Sequence, residues 1–295
     1  MRKHPVIVGL CLLLLVGLFF LLLTALGGGL FGKRSLGWGE HVGVVTVEGI
    51  IRNSREIIKQ LDDFGKDNSV KAIVVRIDSP GGGVTPSQEI HDAILTTKKK
   101  KKVVASMGAI AASGGYLIAC AADRIVANPG TVTGSISAIM HFANVEELLK
   151  KIGMKSSVVK SGRFKDIGSP TRPMTEEEKE LIQSLIDDTY DQFLDVVAKG
   201  RRISKEDLRK IADGRLFTGR QALKLGLVDE LGDLSHAVRL AGTLSGIKGE
   251  PDAVYPAKKK LSLWELILNQ SVTALFEAMK QGETRSEGLN YLYER

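Results

Sequence analysis

Three short segments of this 295-residue chain hold residue types that can do hydrolytic chemistry. Ser113 lies in the small-residue run Ala105–Tyr116, and Gly114 and Gly115 follow its hydroxyl directly. Lys165 lies in Ser161-Gly-Arg-Phe-Lys-Asp-Ile-Gly-Ser-Pro170. Asp78-Ser-Pro-Gly-Gly-Gly83 follows the apolar run Ala72–Ile77. Together they offer a nucleophile, a base and a loop of backbone donors for an oxyanion. That is the kit of a serine hydrolase that does without histidine.

Each feature also has a plainer reading. A serine at a helix start is commonly an N-cap. The glycine pair points past that, because glycine inside a helix costs about 1 kcal/mol against alanine. Two together signal a close approach to the backbone, and the amide after a nucleophile can face an oxyanion. The segment is not a G-x-S-x-G elbow, since Ala111 stands at the first glycine position. The glycine triplet could be only a turn after Pro80, or a phosphate cradle without its G-x-x-x-x-G-K-[ST] sequence. Lys165 could be an ordinary surface lysine; a base lysine must be neutral, which takes burial or a nearby cation such as Arg163. Two rival pairings remain. Ser157-Val-Val-Lys160 fits S-x-x-K but lacks S-D-N and K-T-G partners, and Ser157 is expected in a strand. His141 could serve Ser113, but no carboxylate stands out to orient it.

The elements that must position these residues alternate between strand and helix. Strands are expected over residues 42–47, 70–77, 103–106, 124–127 and 156–160. Helices are expected over 53–64, 85–97, 111–121 and 145–152, with Pro86 in a first turn. Alternation of this kind predicts a layered α/β fold with parallel pairing. After Pro173 the texture changes. Thr175-Glu-Glu-Glu opens a long helix to about residue 200, Ser204 caps another with Asp207 three residues on, residues 215–231 read strand–helix–strand, and 235–245 are helical. Residues 262–281 have amphipathic helical spacing, and 283–295 look mobile.

Residues 6–26 carry no charge, and as a helix they would run about 31 Å, the thickness of a hydrocarbon core. They predict a retained single-pass anchor rather than a cleaved leader. Arg2 and Lys3 bias the N-terminus slightly inside, which places the bulk of the chain outside the cytoplasm. The net charge is +7, but four basic and no acidic residues lie before residue 35, leaving +3 for the rest. The Lys98–Lys102 run is a solvated helix end, and no motif supports nucleic-acid binding. Cys11 falls in the apolar stretch and Cys120 in an alanine-rich run, so no disulfide framework is expected. The five histidines are scattered without metal-ligand spacing, and neither metal nor cofactor is implied.

In combination, D-S-P-G-G-G, S-M-G-x-x-A-A-S-G-G-Y, T-G-S-I-S and S-G-x-x-K-D-I-G-S-P-x-R are similar to the signal peptide peptidase A family, in its short single-domain form. The resemblance spans roughly residues 42–240 and includes Ala212-Asp-Gly-Arg and Val228-Asp-Glu-Leu-Gly. It implies a membrane-bound serine protease of the Clp protease/crotonase superfamily, built of stacked ββα units behind one N-terminal transmembrane helix. By that pattern Ser113 is the nucleophile and Lys165 the general base. The amides of Gly114 and Gly82, or Gly83, form the oxyanion hole. The resemblance further implies a homo-oligomeric ring, an octamer, acting on cleaved signal peptides and other hydrophobic peptides at a bacterial plasma membrane. The expected layout is an anchor at 1–27, a linker at 28–41, a peptidase domain at 42–250 and a tail at 251–295. A crotonase-like acyl-CoA enzyme and a non-catalytic membrane scaffold are the alternatives.

Overall fold

Val42–Val47 and Val70–Ile77 are apolar at nearly every position, the pattern of strands covered on both faces. The structure, a computed structural model, describes residues 13–19 and 39–256 and realises these runs as β1 (His41–Glu48) and β2 (Val70–Ser79). They pair in parallel, with Val42 opposite Ala72 and Val47 opposite Ile77. β3 (Lys102–Ala112) pairs in parallel with β2. The crossovers are helices α1 (Arg55–Lys66) and α2 (Val84–Lys98).

Beyond β3 the sheet forks. Residues 104–107 pair with β4 (Arg124–Ala127), and residues 110–112 pair with β5 (Val132–Gly134), which runs antiparallel to β6 (Leu216–Thr218). Between them lie α3 (Gly114–Ala119), α4 (Glu146–Lys151), α5 (Glu176–Arg201) and α6 (Lys205–Arg209). α7 (Gly219–Lys224), β7 (Glu230–Leu231), α8 (Leu234–Ser245) and β8 (Asp252–Val254) complete the order. β7 pairs with β4, and β8 extends the sheet beyond β1. This mixed α/β sheet, parallel from β1 through β2 and β3 to β4, agrees with the layered α/β fold with parallel pairing expected from the sequence.

The two faces have separate cores. Val45, Val47, Ile73, Val75, Ile77, Val103 and Met107 pack under the helices on one side. Val42, Val44, Ala72, Val74 and Val104 meet α8 on the other, through Ala237, Val238 and Ala241. α8 covers only part of its face, and the same alternation continues as Thr46 and Glu48, both exposed.

Two expected elements are corrected. The helix expected over 111–121 begins only after Ser113, because Ala111 and Ala112 are the last residues of β3, paired with Thr133 and Gly134. Small residues suit either state, and the neighbouring strand decides. The strand expected over 156–160 does not form. Val158 and Val159 have the β-branched character, but the segment is exposed throughout and has no strand to pair with. The remaining strands and helices expected between 42 and 245 are present, and β5 and β8 are additions. Of the expected anchor, residues 13–19 are described, as an exposed helical stretch. No helix among the described residues is long and apolar enough to cross a membrane. The expected amphipathic segment 262–281 and tip 283–295 lie outside the described residues. The sheet and helices above all belong to the unit Met1–Tyr255.

Candidate active site

Ser113 joins β3 to α3, and its side chain caps nothing. Its backbone sits at φ 52° and ψ −122°, a region that a non-glycine residue enters at a cost of about 1–3 kcal/mol. The surroundings enforce it. Ser113 N–H donates to Gly134 O at 2.9 Å, and Ser113 O accepts from Leu117 N at 2.9 Å. Beneath, Tyr116 and Ile118 are fully buried, and the Tyr116 hydroxyl donates to Leu227 O at 2.9 Å. Burial also pushes the Cys120 thiol up to about 12, so it stays a protonated core group rather than a competing nucleophile.

The end of β3 is aimed by a local irregularity. Ile77 pairs with Met107 and Ser79 with Ala111, so Gly108, Ala109 and Ile110 stand opposite the single residue Asp78. The Asp78 carboxylate accepts the Ile110 N–H at 3.1 Å. Buried Thr131 and Thr133 hydroxyls donate to Gly108 O and Ala111 O, each at 2.7 Å. The strand therefore changes partner from β4 to β5 just before the serine.

The glycine loop after β2 lies directly on the nucleophile. Gly81 has φ 103°, and a Cβ there would stand 2.8 Å from both Gly114 N and Ser113 Cβ. A Cβ on Gly114 would stand 2.4 Å from Ser87 Oγ and 3.4 Å from Gly82 N, which sets the Gly82 and Gly114 amides close together. Ile51 ties down the loop: its N–H donates to Gly81 O at 2.9 Å and its carbonyl accepts from Gly83 N at 2.8 Å. Gly83 N–H is thus committed. The N–H groups of Gly82 and Gly114 have no hydrogen-bond partner among the described residues. Two unpaired amides beside a half-exposed hydroxyl are what an acyl-transfer oxyanion requires.

Asp78 and Ser135 carried no expected role in the sequence. Ser135 follows the carbonyl that holds Ser113, has φ 51°, and is fixed by its own N–H donating to Arg215 O at 2.9 Å. Its signal was the T-G-S-I-S motif, and the Ala212-Asp-Gly-Arg motif supplies the carbonyl that pins it.

Lys165 is placed differently. It is exposed, in a turn where its N–H donates to Gly162 O at 3.1 Å, and its amine makes no hydrogen bond to Ser113. Neighbouring Asp166 is gripped by Arg172 and Lys160, which hold its carboxyl below the usual carboxylate range. Arg172 also grips Glu178, and with the Thr175 N–H it lowers that carboxyl to about 2. Of the rival bases, His141 is exposed, and Lys160 is ion-paired to Asp166 and makes no hydrogen bond to Ser157.

Known proteins match the same segments. The profile of peptidase family S49 matches residues 96–248, and that of Clp protease matches residues 44–131. A putative protease of Synechocystis sp. is 49% identical over 212 residues, covering 71% of this chain and 76% of that protein. A putative signal peptide peptidase SppA of Enterococcus faecium is 39% identical over 181 residues, 61% of this chain and 53% of that one. Protease 4 of Haemophilus influenzae is 38% identical over 213 residues, 69% of this chain and 34% of that one.

Proposed function

The chain belongs to peptidase family S49 and is a serine peptidase, and from that membership we propose that it cleaves peptides with a Ser113–Lys165 dyad. Ser113 Oγ attacks the scissile carbonyl carbon while the neutral Lys165 amine takes its proton. The carbonyl oxygen becomes the oxyanion and is held by the Gly82 and Gly114 amides. The lysine then protonates the leaving amine, and water, deprotonated by the same amine, releases the acyl group from Ser113. The observation that carries this reading is the strained Ser113 backbone beside two unpaired amides. Gly82 is the better donor of the loop, because Gly83 is engaged with Ile51.

Hydrophobic peptides, including spent signal peptides, are the proposed substrates. The support is the name of the Enterococcus relative and the apolar stretch at 6–26, read as an anchor in a bacterial plasma membrane with the peptidase outside the cytoplasm. The stacking of ββα units belongs to the same reading. Mass spectrometry after fluorophosphonate treatment tests it: the adduct is expected on Ser113, and an adduct on another serine with Ser113 unmodified overturns it.

Lys165 is proposed to serve the Ser113 of a neighbouring copy in a ring. The supporting observation is the segment 137–177, in which no residue is buried although Ile139, Phe142, Leu148, Ile152 and Val159 are apolar. Inactive Ser113→Ala and Lys165→Ala chains, co-assembled in equal amounts, are then expected to recover about a quarter of wild-type activity, following head-to-tail pairing. No recovery in demonstrably mixed assemblies would place both groups in one chain.

A further inference from the structure

Between residues 137 and 177 no apolar core holds the chain, yet the proposed base sits there. The turn that carries it is local. Lys165 N–H donates to Gly162 O, Ile167 N–H to Phe164 O and Ser169 N–H to Asp166 O, at 3.1, 3.1 and 3.0 Å. Bonds of this kind shape a turn but do not fix where it stands in the molecule.

Two arginines do: Arg163 pairs with Glu177 in the first turn of α5, and Arg172 makes the more extensive and more buried bridge. Arg172 Nε donates to Asp166 Oδ2 at 2.9 Å and Nη2 to Asp166 O at 3.3 Å. The same guanidinium donates to Glu178 through Nη1 at 2.8 Å and Nη2 at 2.6 Å, and to Pro173 O at 3.0 Å. It therefore grips both the side chain and the main chain of the residue next to Lys165. Its other hand is Glu178, whose side chain is only 4% exposed and also accepts the Thr175 N–H at 2.9 Å. Glu178 opens α5, and α5 enters the core through Phe193, Leu194 and Val197.

We infer that Arg172 is a positioning residue for Lys165, fixing the turn that presents its amine through the Asp166–Arg172–Glu178 bridge. The inference rests on Lys165 as the base. Three features carry it. The bridge ends on the carboxylate and the carbonyl of Asp166, the residue that follows Lys165. It contains the first buried side chain after the exposed segment. And it needs a planar fork that spans two carboxylates, which an ammonium group does not reproduce. The bridge lies about 22 Å along the helix from the buried face at Phe193, so its loss leaves the core packing untouched.

The test uses the full chain and two rates: kcat/KM on an apolar peptide, and fluorophosphonate labelling of Ser113. Arg172→Ala is expected to lower both about 100-fold, the scale of a misplacement near 1 Å. Arg172→Lys is expected to lose nearly as much, and Glu178→Gln, a second route to the same bridge, about tenfold, with the circular dichroism spectrum unchanged and every rate read well below the variant's own melting midpoint. The decisive readout is the double variant. If Arg172 acts through Lys165, Arg172→Ala costs nothing further in the Lys165→Ala background. An equal loss in both backgrounds overturns the inference in favour of general structural support, and wild-type rates in Arg172→Ala overturn it outright. If Lys165→Ala itself stays active, the base assignment falls and this inference with it. If Lys165→Ala is inactive while Arg172→Ala is not, only this inference falls.

Discussion

Residues 111–122 are buried except for Ser113 itself, whereas residues 137–177, Lys165 among them, include no buried residue. The first region is held by a sheet, a glycine loop and a packed helix. The second is held by a bridge of ions ending on one buried carboxylate. The difference fits what each group must do in the proposed dyad. A nucleophile has to meet two amides of its own chain at fixed distance, and close packing supplies that constancy. In the proposed ring a base delivered from an arm has to stay soluble before it reaches its site, and a charged bridge keeps its geometry in water where an apolar one would aggregate.

The comparison breaks first at the reacting groups. Ser113→Ala and Lys165→Ala are each expected to reduce kcat/KM about 10⁴-fold or more with the fold intact, the usual size for a member of such a unit. His141→Ala is expected to leave it near wild type. If His141→Ala in folded protein is as damaging as Ser113→Ala, the dyad is wrong. Because a lysine base works only as the neutral amine, wild-type kcat/KM is also expected to be higher in alkali than in acid.

The next effect contrasts two glycines. Gly81→Ala would press a methyl group against Gly114 N and Ser113 Cβ from a positive φ, so kcat is expected to fall roughly 10²–10³-fold, as when an oxyanion donor is misplaced. Gly162→Ala, three residues before Lys165, meets nothing within 4 Å in its own chain and is expected to keep activity within about twofold. A large loss at Gly162 would show that a neighbouring copy packs the arm as tightly as the sheet packs the serine.

How much was legible follows the same division. The apolar runs of β1 and β2, and the spacing of Ile57, Ile58 and Leu61 in α1, could be read directly, because burial on a fixed period leaves a mark in sequence. Ser113, Lys165 and the glycines were legible as residue types in company. The length of β3 was not, because its last residues are alanines whose state is set by β5, more than twenty positions on. The Arg172 bridge was not legible either. Asp166 and Arg172 stood in the S-G-x-x-K-D-I-G-S-P-x-R motif and Glu178 in the acidic start of a helix, but nothing in the sequence paired the three before the chain folds them together.

Acid should separate the two regions. Arg172 and Lys160 lower Asp166, and Arg172 with the Thr175 N–H lowers Glu178 to about 2. Both carboxyls are thus more acidic folded than unfolded. Their stabilisation is complete above the ordinary carboxylate value of about 4 and is lost as the pH falls through the folded values. Hydrogen exchange of the amides between Gly162 and Thr171 is expected to quicken between about pH 4 and about 2, while those of β2 and β3 stay protected. Simultaneous loss in both regions would mean that the arm is not held by its own bridge.

The smallest effect divides the cap of α5 from the bridge that shares its glutamate. Thr175 Oγ1 accepts Glu178 N–H at 3.2 Å, and Glu178 accepts Thr175 N–H in return. The same reciprocal box occurs at Thr218 and Gln221, where no arginine is attached. Thr175→Ala removes a helix cap worth about 1 kcal/mol but leaves both Arg172–Glu178 bonds in place. For a domain of this size the melting midpoint is expected to fall by roughly 2–4 °C, as it should for Thr218→Ala, with kcat/KM nearly unchanged in both. The reasoning is geometric: a cap sets where the helix starts, whereas the guanidinium sets where the turn beside Lys165 stands. Should Thr175→Ala cost as much activity as Arg172→Ala, the helix start itself would be the positioning device, and the arm would depend on backbone order rather than on its ion bridge.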